Sequence, residues 1–513
     1  MDNDGRQGIL SYRIKQESAN RNLTGLAGLA PYLDLACASG LVGSIHRNLR
    51  MRECGQGWTD TQVVMSLIML NLVGGECVDD LEHLEADEGF GRLLERCEVH
   101  GLSRRVRREM KKRWRKARTR SVVSPSVARR YLSAFHGEDQ EKLRKSGKAF
   151  IPKANSNLVA LRRVNTDFVA FVQSANKEMV ATLDLDATLI ETAKSSALYC
   201  YKHFPAYQPY NVYWAEQGLM LHSEFRDGNV PACYEQLRVL KEALSYLPSG
   251  VVKVRIRSDS AGYVHELLRY CEMKLNDRFG RIEFAIGCDV TPEFKRAVED
   301  VAEDDWRPLY KEVDGKQVKT GRECAEVCFV PDAIAFTKNA PTYRYLATRE
   351  ALANQPLPGL EEQLSLPFQT MTKGKVTYKV FGIVTNMDWL GDEIIRFHDG
   401  RCGKAEEAHK ILKEDFAGGQ MPSDEFGANA AWWAIAILAM NLSVAMNRLV
   451  LGGAWANRRM KAIRFLIICL PGRVIEQARQ LYLTLSRGHP AFETLVRMRL
   501  RIRELATGPP LPA

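Results

Sequence analysis

From about residue 25 to residue 99 the apolar positions fall at helical spacing. Val63, Leu67, Met69, Leu70 and Val73 mark one stripe, with Thr59 or Asp60 placed to cap it. Leu81, Leu84, Phe90 and Leu93 repeat the pattern over 78–94. These stripes predict a small all-helical unit. A strongly basic run at 104–120, RRVRREMKKRWRKARTR, interrupts them. Ser124-Pro125-Ser126 then gives a turn and N-cap signal before VARRYLSAF, a short amphipathic helix carrying Arg129 and Arg130. Helices, a turn and a second basic helix are compatible with a helix-turn-helix-like DNA reader, although many helical bundles share that pattern.

Past residue 175 the period changes to two. Residues 178–186, EMVATLDLD, alternate as a strand with Ala181, Leu183 and Leu185 on one face. Stretches 211–216 and 218–225 suit a hairpin, 233–247 a helix, 251–257 a strand, 261–272 a helix and 281–287 a strand. Antiparallel strands mixed with αβ crossovers predict an α/β fold with a three-layer core. Strand signals dominate 305–386, best at 324–330, 342–347 and 375–385, with Pro341, Pro356 and Pro358 between them. Helices return after Gly391, and 432–449 is patterned as a buried helix.

The resulting organisation is a polar segment at 1–24, a helical basic region at 25–150, and a core at 151–304 interrupted by a β-rich stretch at 305–388. The core resumes at 389–455, and a helical region with a polar tail closes the chain at 456–513. The N-terminus lacks an apolar signal segment, and the longest apolar stretch, 430–440, is shorter than the roughly 20 residues a membrane span needs. The expectation is a cytoplasmic protein without a membrane partner.

Composition adds one point. The formal net charge is +10, and the 104–120 window, with eleven Lys or Arg and one Glu, carries that much alone. The rest of the chain sums to neutrality. So dense a block suits a polyanion, because each neutralised phosphate releases condensed counterions. A solvated basic helix is the plainer reading. The twelve cysteines contain no CxxC pair; the closest two, Cys324 and Cys328, would fall on one face of a strand by alternation. Neither a zinc site nor a secreted disulfide framework is indicated.

The acids carry the candidate chemistry. Asp184 and Asp186 share the polar face of one strand with Thr182 and Thr188. Metal binding would explain acids there; exposure to solvent would do so equally. Asp259 ends the next core strand, where α/β ligands gather, or it simply caps the helix that follows. Glu406, Lys410 and Lys413 are spaced to line one helical face behind Arg401. Two strand acids and one helix acid can converge on a pair of Mg²⁺ ions, which need few protein carboxylates each, and basic side chains beside them would offset phosphate charge.

Taken in order, these segments resemble bacterial insertion-sequence transposases of the DDE class, most closely the IS1380 family. LDLDATLIET is similar to the first-Asp motif, RIRSDSAGY to the second, and HDGRCGKAEEAHKILKEDF to the Tyr-Arg-Glu-Lys signature; GGECVDDLEHL resembles an upstream helical segment. The resemblance implies an RNase H-like catalytic core, with Asp186, Asp259 and Glu406 as catalytic, metal-binding acids and Asp184 and Glu407 as alternatives. It implies two Mg²⁺ ions, with Mn²⁺ as a substitute. It implies strand cleavage and strand transfer on double-stranded DNA, at terminal inverted repeats and target sites, by a homodimer. Arg401, Lys410 and Lys413 would contact phosphate. So would Arg104, Arg105, Arg107, Arg108, Lys111, Lys112, Arg113, Arg115 and Lys116 of the basic block, with Arg129 and Arg130. His398 stands where the signature has Tyr, and one extra residue separates Arg401 from the Glu.

Two other readings compete. LDLDATL fits the DxDxT strand of haloacid-dehalogenase-type phosphatases, with Asp184 as nucleophile, Asp186 as acid/base and Asp388 or Asp392 as later acids. The motif normally opens its domain, whereas some 180 residues precede it here. The remaining reading is a DNA-binding protein with an inactive core.

Overall fold

A computed structural model describes residues 22–52, 55–313, 315–331, 341–352, 368–478 and 480–507. The polar segment up to residue 21 and the tail 508–513 lie outside them. The described residues form two compact units: one takes those up to Arg130 and those from Met446 onward, the other Tyr131–Ala445.

The first unit is mainly helical. Its most buried helix, Asp60–Val73, starts at a capping box in which Thr59 Oγ1 accepts from the Gln62 amide and Gln62 Oε1 accepts from the Thr59 amide. Helices Ala30–Ala38, Glu88–Glu98, Arg104–Lys112 and Phe492–Ala506 belong to the same unit, with a two-stranded ribbon, Gly472–Gln477 and Gln480–Thr484. The C-terminal residues, which the pattern sets apart as their own region, thus share a unit with the N-terminal helices.

The second unit is built on a ten-stranded mixed sheet. In chain order its strands are β1 (Val180–Ala187), β2 (Tyr210–Trp214), β3 (Leu219–Glu224), β4 (Lys253–Ser258) and β5 (Glu283–Cys288). There follow β6 (Arg307–Val313), β7 (Lys316–Val327), β8 (Arg344–Ala351), β9 (Thr370–Lys373) and β10 (Val376–Thr385). The spatial order is β6-β7-β8-β10-β5-β4-β1-β2-β3, with β9 paired to β10. β1, β2 and β3 form an antiparallel meander, while β4 lies parallel to β1 and β5 parallel to β4. The β-rich stretch is no separate module: β10 pairs antiparallel with β5, so β6–β10 widen the same sheet. Cys324 is buried in β7, but Cys328 lies beyond that strand and is exposed, so alternation does not bring the two thiols to one strand face.

Helices cover the sheet. They are α1 (Ser156–Ala175), α2 (Gln236–Tyr246), α3 (His265–Glu272), α4 (Pro292–Glu299), α5 (Gly391–Asp399), α6 (Ala405–Asp415) and α7 (Phe426–Ala445). α2 and α3 are the crossovers that feed β4 and β5. α7 corrects one expectation. The helix around 430–440 continues as Phe426–Leu451, 26 residues with hydropathy 1.7, long and apolar enough to cross a membrane by length and composition. Counting only unbroken apolar residues misses it because Asn429, Asn441 and Ser443 sit inside. These are buried and partnered: Asn441 Nδ2 donates to Asn165 Oδ1 of α1 and to the Met220 carbonyl of β3, and its Oδ1 accepts from the Met220 amide. Two thirds of the apolar window, 67%, is buried inside the fold, which makes α7 a core helix.

Candidate active site

The carboxyl ends of β1 and β4 carry the strand acids. Parallel register runs to Leu185↔Ser258, so the next residue along each chain is Asp186 and Asp259. Asp259 also caps the turn after β4, accepting from the Ala261 amide at 3.1 Å. The backbone there sits close over β5, and Gly287 permits it. A Cβ on Gly287 would lie 2.9 Å from the Ser260 nitrogen and 3.1 Å from the Asp259 carbonyl carbon. Capping and site placement are therefore compatible roles for Asp259.

The polar face of β1 does not meet solvent. Asp184 is fully buried and accepts two hydrogen bonds from Arg257, Nε to Oδ1 at 2.6 Å and Nη2 to Oδ2 at 2.8 Å. Arg257 Nη1 donates to the Phe397 carbonyl at 2.8 Å, and Gly400 leaves it room. His398 Nε2 donates to the Ser258 carbonyl at 3.0 Å. These bonds tie the end of α5 to β4 and aim the following segment at Asp186. His398, standing in the signature's Tyr position, is thus an anchor between α5 and β4. Asp184 thus has both oxygens committed to Arg257, whereas Asp186, the other candidate first acid, does not share that pairing.

Asp186 is differently placed. Arg401 Nη1 approaches its Oδ2 at 3.4 Å and His409 Nδ1 at 3.6 Å. Burial pushes the Asp186 carboxyl up to about 7; Arg401 opposes the rise, and the neighbouring charges of Asp259 and Glu406 reinforce it. Both other acids therefore act electrostatically on Asp186. Glu406 projects exposed from the first turn of α6, and Glu407 beside it is exposed as well.

The three cations expected at phosphate are placed differently from one another. Arg401, with a side chain 8% exposed, is buried against Asp186 and neutralises a carboxylate there. Lys410 points to solvent, 60% exposed and 3.9 Å from Glu414. Lys413 is half-buried and donates to the Leu189 carbonyl at 3.3 Å, so Lys410 and Lys413 do not share a face. Asp392, an acid of the phosphatase reading, pairs with Arg396 one turn along α5.

Two neighbours escaped sequence reasoning. His409 is buried, and burial with the charges of Lys413 and Arg401 pushes its imidazole down to about 3, so it is neutral. Its three-residue spacing from Glu406 was the available signal. Tyr210, opposite Ala187 in register, is buried, and burial with the fields of Asp259 and Asp186 pushes its phenol up. No local pattern announces it.

Among the described residues no group of three or more His, Cys, Asp or Glu is close enough to hold a metal ion ready-made. The donors themselves fit a hard divalent cation: two strand-end carboxylates and a helix carboxylate, with Asp186 held high first by burial and then by the neighbouring acids, against Arg401.

In the first unit, the basic block divides. Arg104, Arg105, Arg107, Arg108, Lys111, Lys112, Arg115 and Lys116 are exposed, though the helix that starts the block ends at Lys112. Arg113 is internal instead: its guanidinium donates to the carbonyls of Gly57 and Arg52. Arg118 bridges Glu95 and Glu98, and Arg120 reaches Glu82. Arg129 pairs with Asp79, while Arg130 is exposed.

Sheet and site define an α/β protein that gathers acids at adjoining strand ends beside a helix glutamate. The model of the family Transposase DDE domain group 1 matches residues 13–331 and 368–507, and the chain belongs to that family. No curated protein matches it. Among solved structures it is similar to a piggyBac transposase in a synaptic complex with hairpin DNA, at 11% identity and a TM-score of 0.38, over 93% of this chain and 80% of that one.

Proposed function

We propose that the protein is the transposase of an insertion sequence of the IS1380 type, cutting and rejoining DNA at terminal inverted repeats in an RNase H-like core formed by β1–β5. Membership of the DDE transposase family supports this at the coarse level. The observation that carries the chemistry is Asp186, raised to about 7 in part by Asp259 and Glu406, acids that lie 73 and 220 residues further along the chain.

In this reading Asp186, Asp259 and Glu406 hold the divalent ions, Mg²⁺ or Mn²⁺. When bound, these supply activation of the attacking oxygen and stabilisation of the leaving oxygen in an in-line phosphoryl transfer. Arg401 offsets charge on Asp186. Neutral His409 packs behind the same carboxylate and limits its rotation. Arg257, through Asp184 and the Phe397 carbonyl, keeps the segment bearing Arg401 and Glu406 against the strand ends. The exposed cations of 104–116 hold the phosphate backbone. A homodimer on paired ends, in the cytoplasm of a bacterium, completes the proposal.

The test is a duplex carrying the DNA that flanks the coding region, incubated with the full chain and Mg²⁺. Cuts at the element ends that vanish in Asp259→Asn, with end binding kept, support the reading. End binding without cutting would leave an inactive DNA-binding protein. Hydrolysis of p-nitrophenyl phosphate that depends on Asp184 would restore the phosphatase.

A further inference from the structure

The chain's charge is not confined to the 104–120 block. Residues 446–508 contain twelve Lys and Arg against three Asp and Glu, a net +9 that matching negative charge elsewhere conceals in the total. Over 1–130 and 446–508 together, thirty-four basic residues face nineteen acidic ones, giving +15, while the remaining residues sum to −5.

Within this second basic stretch lies the ribbon Gly472–Gln477 and Gln480–Thr484. Its register pairs Arg473 with Thr484, Ile475 with Tyr482 and Gln477 with Gln480. Strand alternation puts all six on one face, and all six are exposed, Ile475 by 40% and Tyr482 by 45%. The other face is anchored: Val474 is fully buried, and the edge of the strand pairs with Leu23–Thr24. The result is a hairpin, two strands of a three-stranded sheet, whose free face offers a guanidinium, two amides, an aromatic ring and Ile475. A two-stranded ribbon fits the major groove of B-form DNA, where Arg reads guanine and Gln reads adenine.

We propose that this outer face is a double-stranded DNA contact surface, distinct from the 104–116 block. It rests on DNA being the protein's substrate and adds a second element that touches it. Arg473, the one cation among the six, and the net +15 of the unit that carries the hairpin favour a polyanion over an uncharged partner or a second copy of the chain.

The experiment uses the full chain and a 30-base-pair duplex of mixed sequence, titrated at several salt concentrations. The variant Arg473→Ala/Gln477→Ala/Gln480→Ala should bind roughly tenfold more weakly, with a salt slope smaller by about one. A photoreactive phenylalanine analogue replacing Tyr482 should crosslink to the duplex, which tests the surface even if the triple variant folds poorly. Unchanged affinity with no crosslink, while a charge reversal in 104–116 still weakens binding, overturns the ribbon alone. An altered sedimentation coefficient with unchanged DNA affinity assigns the face to a second copy and also overturns it. A wild-type chain that binds no duplex removes the transposase reading, and this proposal with it.

Discussion

Replacing Asp186 by Asn removes one negative charge from a largely buried position that Asp259 and Glu406 influence, and the consequence for stability is calculable. The side chain is only 14% exposed and its folded pKa is about 7, against an ordinary 3.8. The folded state therefore holds this proton more tightly than the unfolded chain between about pH 4 and pH 7. Stability contributed by Asp186 falls as pH rises through that window. The shift of about three units corresponds to about 4 kcal/mol at pH 8. Asn mimics the protonated carboxyl, so Asp186→Asn should be more stable than wild type by about that amount at pH 8, without divalent ions. The two should coincide near pH 4. Neutral His398 and His409, held at about 4 and about 3, give a slope of opposite sign as pH rises towards 6.5. They are present in both proteins and cancel in the difference. Urea unfolding in EDTA from pH 4 to pH 8 measures it. Mg²⁺ at a hundred times its dissociation constant should return about 2.7 kcal/mol to wild type and at most about 1.4 kcal/mol to a variant that binds it tenfold or more weakly. Parallel pH profiles for the two proteins would refute the reasoning.

Three further outcomes follow from the same geometry. Asp184→Asn leaves Arg257 buried without its carboxylate and should cost about 3–5 kcal/mol in denaturant unfolding; burial also raises the Asp184 carboxyl, and a variant at least as stable as wild type would show that burial outweighs the pair. Charge reversal at Arg108 and Lys111 should weaken duplex binding and flatten its salt dependence, whereas Arg118→Ala, which strips buried Glu98 of its cation, should lower the unfolding midpoint and leave the salt slope unchanged. Gly287→Ala would press a methyl on the Ser260 backbone and shift Asp259; DNA end cleavage should fall while end binding persists.

Much of this was legible in one dimension. Alternation and short apolar runs marked β1–β5 closely, although both faces of β1, β2, β3 and β5 are covered. The position of Asp186 and Asp259 at strand ends followed from the same pattern. Partner choice was not legible. Asp184 and Asp186 are indistinguishable by alternation, and only the lateral neighbour Arg257, brought by parallel pairing, separates them. Arg401 and Arg113 read as phosphate contacts because a cation's burial depends on residues far along the chain. That β6–β10 extend the core sheet depended on the β10–β5 pairing, a contact of about 100 residues' separation. The charge of 446–508 was hidden by summation, since a net value cannot show where opposite charges lie.

The central claim is that Asp186, Asp259 and Glu406 form one divalent-cation site. Electron paramagnetic resonance of Mn²⁺ titrated into the full chain reports on it without DNA. Wild type should bind Mn²⁺, and Asp186→Asn, Asp259→Asn and Glu406→Gln should each weaken binding by tenfold or more, with Glu407→Gln unchanged. Undiminished Mn²⁺ binding by Glu406→Gln, with loss in Glu407→Gln, would contradict the assignment.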